Sequence, residues 1–107
     1  LAITYPGAET MVRKQLVYLV QIPASEQAQK SIVPGNRLMV TFQGEVVGEG
    51  QAILVEPTTL DKLTPYDAMQ AGAESLEALQ KHVLATVLKG TKKPRDTAFV
   101  KVLYRWL

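Results

Sequence analysis

The chain has 107 residues, of which 47% are hydrophobic and 21% charged, with no cysteine and a net charge of +2. This length fits one domain spanning residues 1–107, and the composition is that of a globular protein and not of a disordered one. The lack of cysteine excludes a disulfide framework and a thiolate metal site. The charge is lower than in a dedicated duplex-DNA binder, because affinity for DNA grows with the number of phosphates neutralised.

Membrane association is not expected from this sequence. Its apolar runs are too short to span a bilayer, and the N-terminus shows no charged and then apolar leader. The absence of cysteine also fits a reducing compartment. We therefore expect a cytoplasmic protein.

The N-terminal third predicts short elements. Residues 3–5 form a short β-like run, which a proline–glycine pair ends. Residues 9–14 fit either a helical turn or the start of a long strand. The apolar run at residues 16–22, LVYLVQI, predicts a buried strand that Pro23 ends. Ser25 is a candidate N-cap for a short polar helix.

A hairpin is predicted in the middle of the chain. Residues 34–36, Pro-Gly-Asn, form a turn before a strand at residues 37–42. A second strand follows at residues 45–55, with Gly48 and Gly50 inside it. Glycines within a strand mark a bulge or a sharp bend, and a sharply bent strand indicates a closed or half-closed barrel.

Two helix starts come next. Thr64 as N-cap, Pro65 at the first helical position and Asp67 at the third predict a short, well-capped helix. Ser75 starts a second helix, which Gly90 closes. Its apolar stripe recurs at helical spacing, in Leu76, Leu79, Val83, Leu84 and Val87.

A charged loop and a final strand complete the chain. The loop is TKKPRD at residues 91–96, and the strand TAFVKVLYRWL covers residues 97–107. The order of elements predicts an α+β fold, mainly β with helices. We expect a small β-barrel with two or three helices packed against it.

Catalytic and metal-binding patterns are absent from the sequence. The one histidine, His82, is predicted to lie on the surface of the long helix, and no serine has a base beside it. The acidic residues are scattered, so no metal site is expected. The glycine-rich stretch at residues 44–50 lacks the strand–turn–helix context of a phosphate loop. No cofactor and no catalytic residue are therefore predicted.

Basic residues form the candidate binding site. The charged loop can hold phosphates, although a solvated connection is the simpler interpretation of such a loop. If the sheet closes, the loop, the pair at residues 13–14 and the residue that opens the strand at position 37 can face one groove. The candidate nucleic-acid-binding residues are Arg13, Lys14, Arg37, Lys92, Lys93 and Arg95. Aromatic residues that can either stack on bases or pack in the core are Tyr5, Tyr18, Tyr104 and Trp106.

From residue 34 onward, the sequence resembles the ASCH domain family of the PUA-like superfamily. The resemblance is carried by PGNRLMV, by VVGEGQAILVE, by LDKLTPYDAMQAGAESLEALQKHVL and by FVKVLYRWL. Residues 1–33 match the family poorly. The resemblance implies a small β-barrel with helices beside a cleft, and a role in binding RNA. Some small members of the family are hydrolases of modified nucleosides or RNA.

The family's cleft motif has the form GxKxxExR, and the corresponding stretch here is VRKQLVYLVQIP. Lys14 stands near the lysine position, while Tyr18 and Val20 fall near the glutamate and arginine positions. Asn36 replaces the aspartate of the family's Pro-Gly-Asp turn. We therefore predict a noncatalytic domain that binds RNA or a nucleotide in a basic cleft.

Two alternatives remain from the sequence. The first is a small hydrolase, an amidohydrolase of modified nucleosides or an enzyme acting on RNA, with Lys14 and an acid lining a deep cleft. The second is a protein-interaction domain whose vestigial cleft is filled by Tyr18 or Trp106.

Overall fold

The computed structural model describes all 107 residues as one curved, nearly closed, barrel-like sheet with helices packed on it. Its strands are β1 (Ala2–Ile3), β2 (Leu19–Pro23), β3 (Arg37–Phe42), β4 (Glu45–Thr58) and β5 (Phe99–Trp106). They lie in the order β1-β3-β4-β5-β2, with β1 parallel to β3 and the other pairs antiparallel. The predicted α+β barrel is therefore confirmed, and β1 and β2 are its two edges.

Four α-helices accompany the sheet. They are α1 (Glu9–Arg13), α2 (Ala24–Gln29), α3 (Pro65–Gln70) and α4 (Leu76–Ala85). Three 3-10 turns lie at Pro6–Ala8, Leu60–Lys62 and Pro94–Asp96. The helix count exceeds the expected two or three because residues 9–13 form a helix and do not start a strand. None of the helices combines the length and apolar character that crossing a bilayer requires.

The β3–β4 hairpin forces the sheet to bend. Gln43 (φ 51°) and Gly44 (φ 82°) form a two-residue turn with positive φ at both positions, the geometry whose twist suits a hairpin. Strand β4 carries one extra residue between Val46 and Gly48 and another between Ala52 and Leu54. Such bulges bend a strand and increase its twist, which confirms the predicted bend.

The sheet separates two apolar clusters, because successive side chains of a strand point to opposite faces. The inner cluster fills the barrel and includes Val40, Phe42, Val102 and Tyr104. The outer cluster lies between the sheet and the helices. It contains Leu60, Leu63, Ala68, Ala71, Leu79, Val83, Leu88 and Phe99. Helices α3 and α4 are therefore held on the outer face of β5 by burial of their apolar stripes.

Both predicted helix starts are present. The Thr64 hydroxyl accepts a hydrogen bond from the Asp67 N–H, and the Asp67 carboxylate accepts one from the Thr64 N–H, which is a complete capping box. The Ser75 hydroxyl caps α4 by accepting from the Ala78 N–H. Helix α4 ends at Ala85, before Gly90, because the chain turns at Thr86 to bury Leu88.

Two expectations for the N-terminal third are wrong in detail. Strand β2 begins at Leu19 and not at residue 16, because a turn with positive φ at Gln15 leaves Leu16 exposed. Ser25 is not an N-cap, since α2 starts directly after Pro23 and has no side-chain cap.

Candidate ligand cleft and basic patch

A narrow cleft lies between helix α4 and the two edges of the sheet, and we call it the α4 cleft. Its inner part has a cavity volume of about 20 Å³, enough for roughly one water molecule. Its outer part has a cavity volume of about 190 Å³ and shares Thr4, Gln21 and Val87 with the inner part. The polar lining consists of Thr4, Tyr5, Gln21, His82, Glu26 and Thr86.

His82 lines the α4 cleft on the side of helix α4. Its Nε2 lies 2.8 Å from the Thr4 Oγ1, and its ring stands edge-on to the Tyr5 ring at a centroid distance of 5.2 Å. Burial lowers the pKa of His82 below its ordinary value of 6.5. The ring therefore lies at the surface of α4, as expected, but is partly buried, because the segment after β1 packs against it.

Gln21 lies on the outer face of β2, directly opposite Lys101 of β5. Its Nε2 is buried and has no hydrogen-bond partner. Buried polar groups in proteins are nearly always paired, so each exception calls for an explanation. Sequence reading included Gln21 in an apolar run and missed it, although a single amide within LVYLVQI was the available signal.

The cleft has few ionisable side chains. Its one carboxylate, Glu26, lies in the outer part and pairs with Lys30 at 3.6 Å. Lys101, beside Gln21 on the sheet, is held by Asp67, with Nζ and Oδ1 3.6 Å apart. Lys14 is exposed at the end of α1 and does not line the cleft. No group of three or more potential ligands is placed to hold a metal ion.

Basic side chains converge at a second place, where the turn Leu60–Lys62 packs against the turn Pro94–Asp96. This contact brings Lys62 beside the predicted loop residues, and we call the set of Lys62, Lys92, Lys93 and Arg95 the basic patch. All four are exposed and none forms an ion pair. Sequence reading missed Lys62, because only the packing of the two turns places it there.

Asp61 lies within the basic patch. The Thr59 hydroxyl donates to its carboxylate at 2.7 Å, and this bond is the main reason that the pKa of Asp61 is lowered. The backbone N–H of Asp61 and the nearby charges of Lys62 and Arg95 lower the pKa further. The packing of the two turns therefore places Arg95 near enough to Asp61 for its charge to contribute.

The other predicted basic residues lie elsewhere. Arg13 pairs with Glu9 at 3.3 Å and, like Lys14, belongs to the α1 end of the molecule. Arg37 pairs with Glu49 at 3.7 Å and stands opposite Gln51, at the far end of the sheet from the loop. The predicted common groove is therefore not formed: Lys92, Lys93 and Arg95 lie together in the loop, Arg37 lies at the far end of the sheet, and Arg13 and Lys14 lie at the end of α1.

The four aromatic candidates have different environments. Tyr104 is 1% exposed and packs edge-on to Trp106 inside the barrel. The Trp106 indole N–H donates to the Val17 carbonyl at 2.9 Å. Tyr18 lines a separate apolar groove, so neither Tyr18 nor Trp106 fills the α4 cleft. Tyr5 alone lines it.

The fold, but not the sequence, matches known proteins. An ASCH domain from Lactobacillus crispatus JV V101 superposes with a TM-score of 0.65 and 14% identity, over 92% of this chain and 69% of that one. A protein from Enterococcus faecalis V583, of the family DUF984, superposes with a TM-score of 0.71 and 12% identity. That match covers 92% of this chain and 65% of the other, so this chain spans less than two thirds of its length.

No family model matches the sequence. No curated protein matches it either. The predicted resemblance to ASCH domains is therefore confirmed at the level of the fold.

Proposed function

We propose that this domain binds RNA or a nucleotide without chemical turnover, in a cytoplasmic setting. The observation that carries the proposal is the basic patch, in which four exposed cations without ion-pair partners lie in or beside two packed turns that also carry the carboxylates of Asp61 and Asp96. Lysine and arginine without partners on one surface are the usual phosphate contacts of RNA-binding proteins. The ASCH fold adds a general precedent to this local chemistry.

The patch supports local phosphate contacts and not a long duplex interface. Four cations neutralise few phosphates, and the net charge of the chain is only +2. The remaining candidates, Arg13 and Arg37, are partly neutralised by glutamates. We therefore expect weak, salt-sensitive binding to a short single-stranded segment.

A noncatalytic role is supported by the α4 cleft. A histidine that activates a hydroxyl nucleophile is normally oriented by a third group, such as a carboxylate. His82 has Thr4 and Tyr5 as its side-chain contacts, and no carboxylate orients its ring. Lys101, which lies opposite Gln21 on the sheet, is paired with Asp67.

Binding of a fluorescent single-stranded RNA at low salt tests the proposal. The triple variant Lys92→Glu, Lys93→Glu, Arg95→Glu is expected to abolish binding that wild-type protein shows. Lys81→Glu is the matched control, because Lys81 is an exposed, unpaired lysine on α4, outside the patch. Absence of RNA binding by wild-type protein at low salt would show that the proposal is wrong.

A further inference from the structure

Gln21 places a polar amide in the otherwise apolar strand β2, where its nitrogen is buried. Two buried side-chain atoms of this chain have no hydrogen-bond partner, and the Nε2 of Gln21 is the one that lines a cleft. An unpaired buried donor destabilises the fold, whereas an apolar residue of the same shape would not. Its neighbours on β2, Val20 and Ile22, are apolar and buried. A ligand that enters the outer part of the cleft can supply the acceptor that this amide lacks.

The other groups at this site are uncharged. Thr4 and His82 provide a hydroxyl and an imidazole, and Tyr5 provides the edge of a ring. The inner part has no charged side chain, and the carboxylate of the outer part, Glu26, is paired with Lys30. A charged ligand group would lose its hydration here without a counter-charge. The cleft therefore suits a neutral group that carries hydrogen-bond acceptors.

The size of the cleft sets an upper limit on that group. Pockets that enclose a whole drug-sized ligand have volumes of about 300–1,000 Å³. The outer part of the α4 cleft has about 190 Å³, and the inner part about 20 Å³. This space suits one planar base and leaves any attached sugar and phosphate outside.

Positively charged side chains lie close to the outer part of the cleft. Thr86 and Val87 line the outer part, Leu88 is buried against the sheet, and the exposed Lys89 follows. At the same end of the sheet, Pro23 of the cleft is in register with Phe99, which is in register with Thr58. Two strand spacings, about 10 Å, therefore separate the cleft from the strand end that leads into the basic patch.

We infer that the α4 cleft binds one uncharged nucleobase, with the Gln21 Nε2 donating to a carbonyl or ring-nitrogen acceptor of the base. Lys89 then contacts the phosphate outside the cleft, between the base and the basic patch. This inference rests on the proposed function and adds to it the recognition of a base. It makes Gln21 a specificity-determining residue.

Titration of isotope-labelled protein with uridine, cytidine, adenosine and guanosine, followed by NMR, tests this inference. At least one nucleoside is expected to shift the signals of Thr4, Gln21 and His82. Gln21→Met is expected to weaken this binding about ten-fold, the effect of losing one hydrogen bond. Gln21→Glu keeps the length of the side chain, removes the donor and should weaken binding in the same way. Gln29→Met, at an exposed position of α2, is the matched control.

The phosphate contact is tested with the 5′-monophosphate of the nucleoside that binds. Lys89→Gln should weaken binding of the monophosphate and leave binding of the nucleoside unchanged. Inorganic phosphate alone should not shift the signals of Gln21. A shift of these signals by phosphate would overturn the assignment of the cleft to a neutral group.

Two further outcomes would overturn the inference and leave the proposed function intact. One is RNA binding that depends on the basic patch while no nucleoside shifts the cleft signals. The other is nucleoside binding that is equally strong in wild-type protein, Gln21→Met and Gln21→Glu. Failure of the proposed function has a different signature, since wild-type protein would then bind no RNA at low salt.

Discussion

The ammonium nitrogen of Lys101 lies 3.6 Å from a carboxylate oxygen of Asp67, in an ion pair that ties β5 to the first turn of α3. Both side chains are largely shielded from solvent, with 20% and 8% of their surfaces exposed. Asp67 also accepts the hydrogen bond from the Thr64 N–H that completes the capping box. One carboxylate therefore starts the helix and fixes it to the sheet.

Replacement of Asp67 should expose this double role. Asp67→Ala removes the cap partner and leaves Lys101 largely buried without a counter-charge, so we expect a loss of about 2–3 kcal/mol in the free energy of unfolding. Asp67→Asn keeps a capping oxygen and removes the charge, and should therefore be less destabilising. Urea denaturation measures the free energy of unfolding of both variants. Equal losses in Asp67→Ala and Asp67→Asn would mean that the ion pair with Lys101 contributes nothing to stability.

His82 should make stability depend on pH. Because burial lowers its pKa in the folded state, the unfolded chain binds the proton more readily below the ordinary value of 6.5. The stability contribution of neutral His82 is therefore present above that value and is lost as the pH falls through it toward the folded-state pKa. Melting temperatures between pH 7.5 and 5 should fall less steeply in His82→Gln than in wild-type protein. Parallel curves would contradict this assignment.

The protein should be more stable when Tyr104 lacks its hydroxyl group. The hydroxyl is buried without a hydrogen-bond partner, and burial, with a smaller contribution from Tyr18, raises its pKa so that it stays neutral. Tyr104→Phe removes the unpaired group, and we expect a gain of about 1 kcal/mol. Tyr18→Phe, outside the barrel core, is the control and should change stability by less than about 0.5 kcal/mol. Chemical denaturation distinguishes the two, and a loss of stability in Tyr104→Phe would point to a hydrogen bond in solution.

The β3–β4 turn offers a stabilising substitution. Gln43 has a φ of 51°, which asparagine tolerates better than glutamine, and Asn-Gly is the preferred pair for this turn. We therefore expect Gln43→Asn to raise the free energy of unfolding by about 0.5 kcal/mol. The exposed Glu45→Gln, next to the turn, should change little. A destabilised Gln43→Asn in thermal denaturation would argue against the described turn.

The number of phosphate contacts should be readable from the salt dependence of RNA binding. Each contact with single-stranded nucleic acid contributes about 0.7 to the slope of log K against log salt. Lys92→Gln combined with Lys93→Gln should therefore reduce the slope by about 1.4. Lys81→Gln should leave it unchanged. An unchanged slope in the double variant would exclude both lysines as phosphate contacts.

The sequence by itself determined the elements whose signals are local. The capping residues Thr64, Asp67 and Ser75 determined where both helices start. The side chains of residues 99–105 alternate between the two faces of β5, and this pattern was also visible in the sequence. These features depend on hydrogen bonds and periodicities within a few residues. The barrel could also be predicted, because the glycines within β4 indicate a sharp bend, and a sharply bent strand is typical of a barrel.

Only the tertiary structure decided the candidate site. Gln21, Thr4 and His82 come from three distant segments, and they meet because the segment after β1 closes against α4. Lys62 joins Arg95 only through the packing of two short turns. The register of the sheet places Arg37 at the far end from the loop, and Arg13 lies on α1. The charge and polarity of each side chain follow from the identity of its residue. Which side chains come together depends on packing between residues that are distant in sequence, and no local pattern predicts that packing.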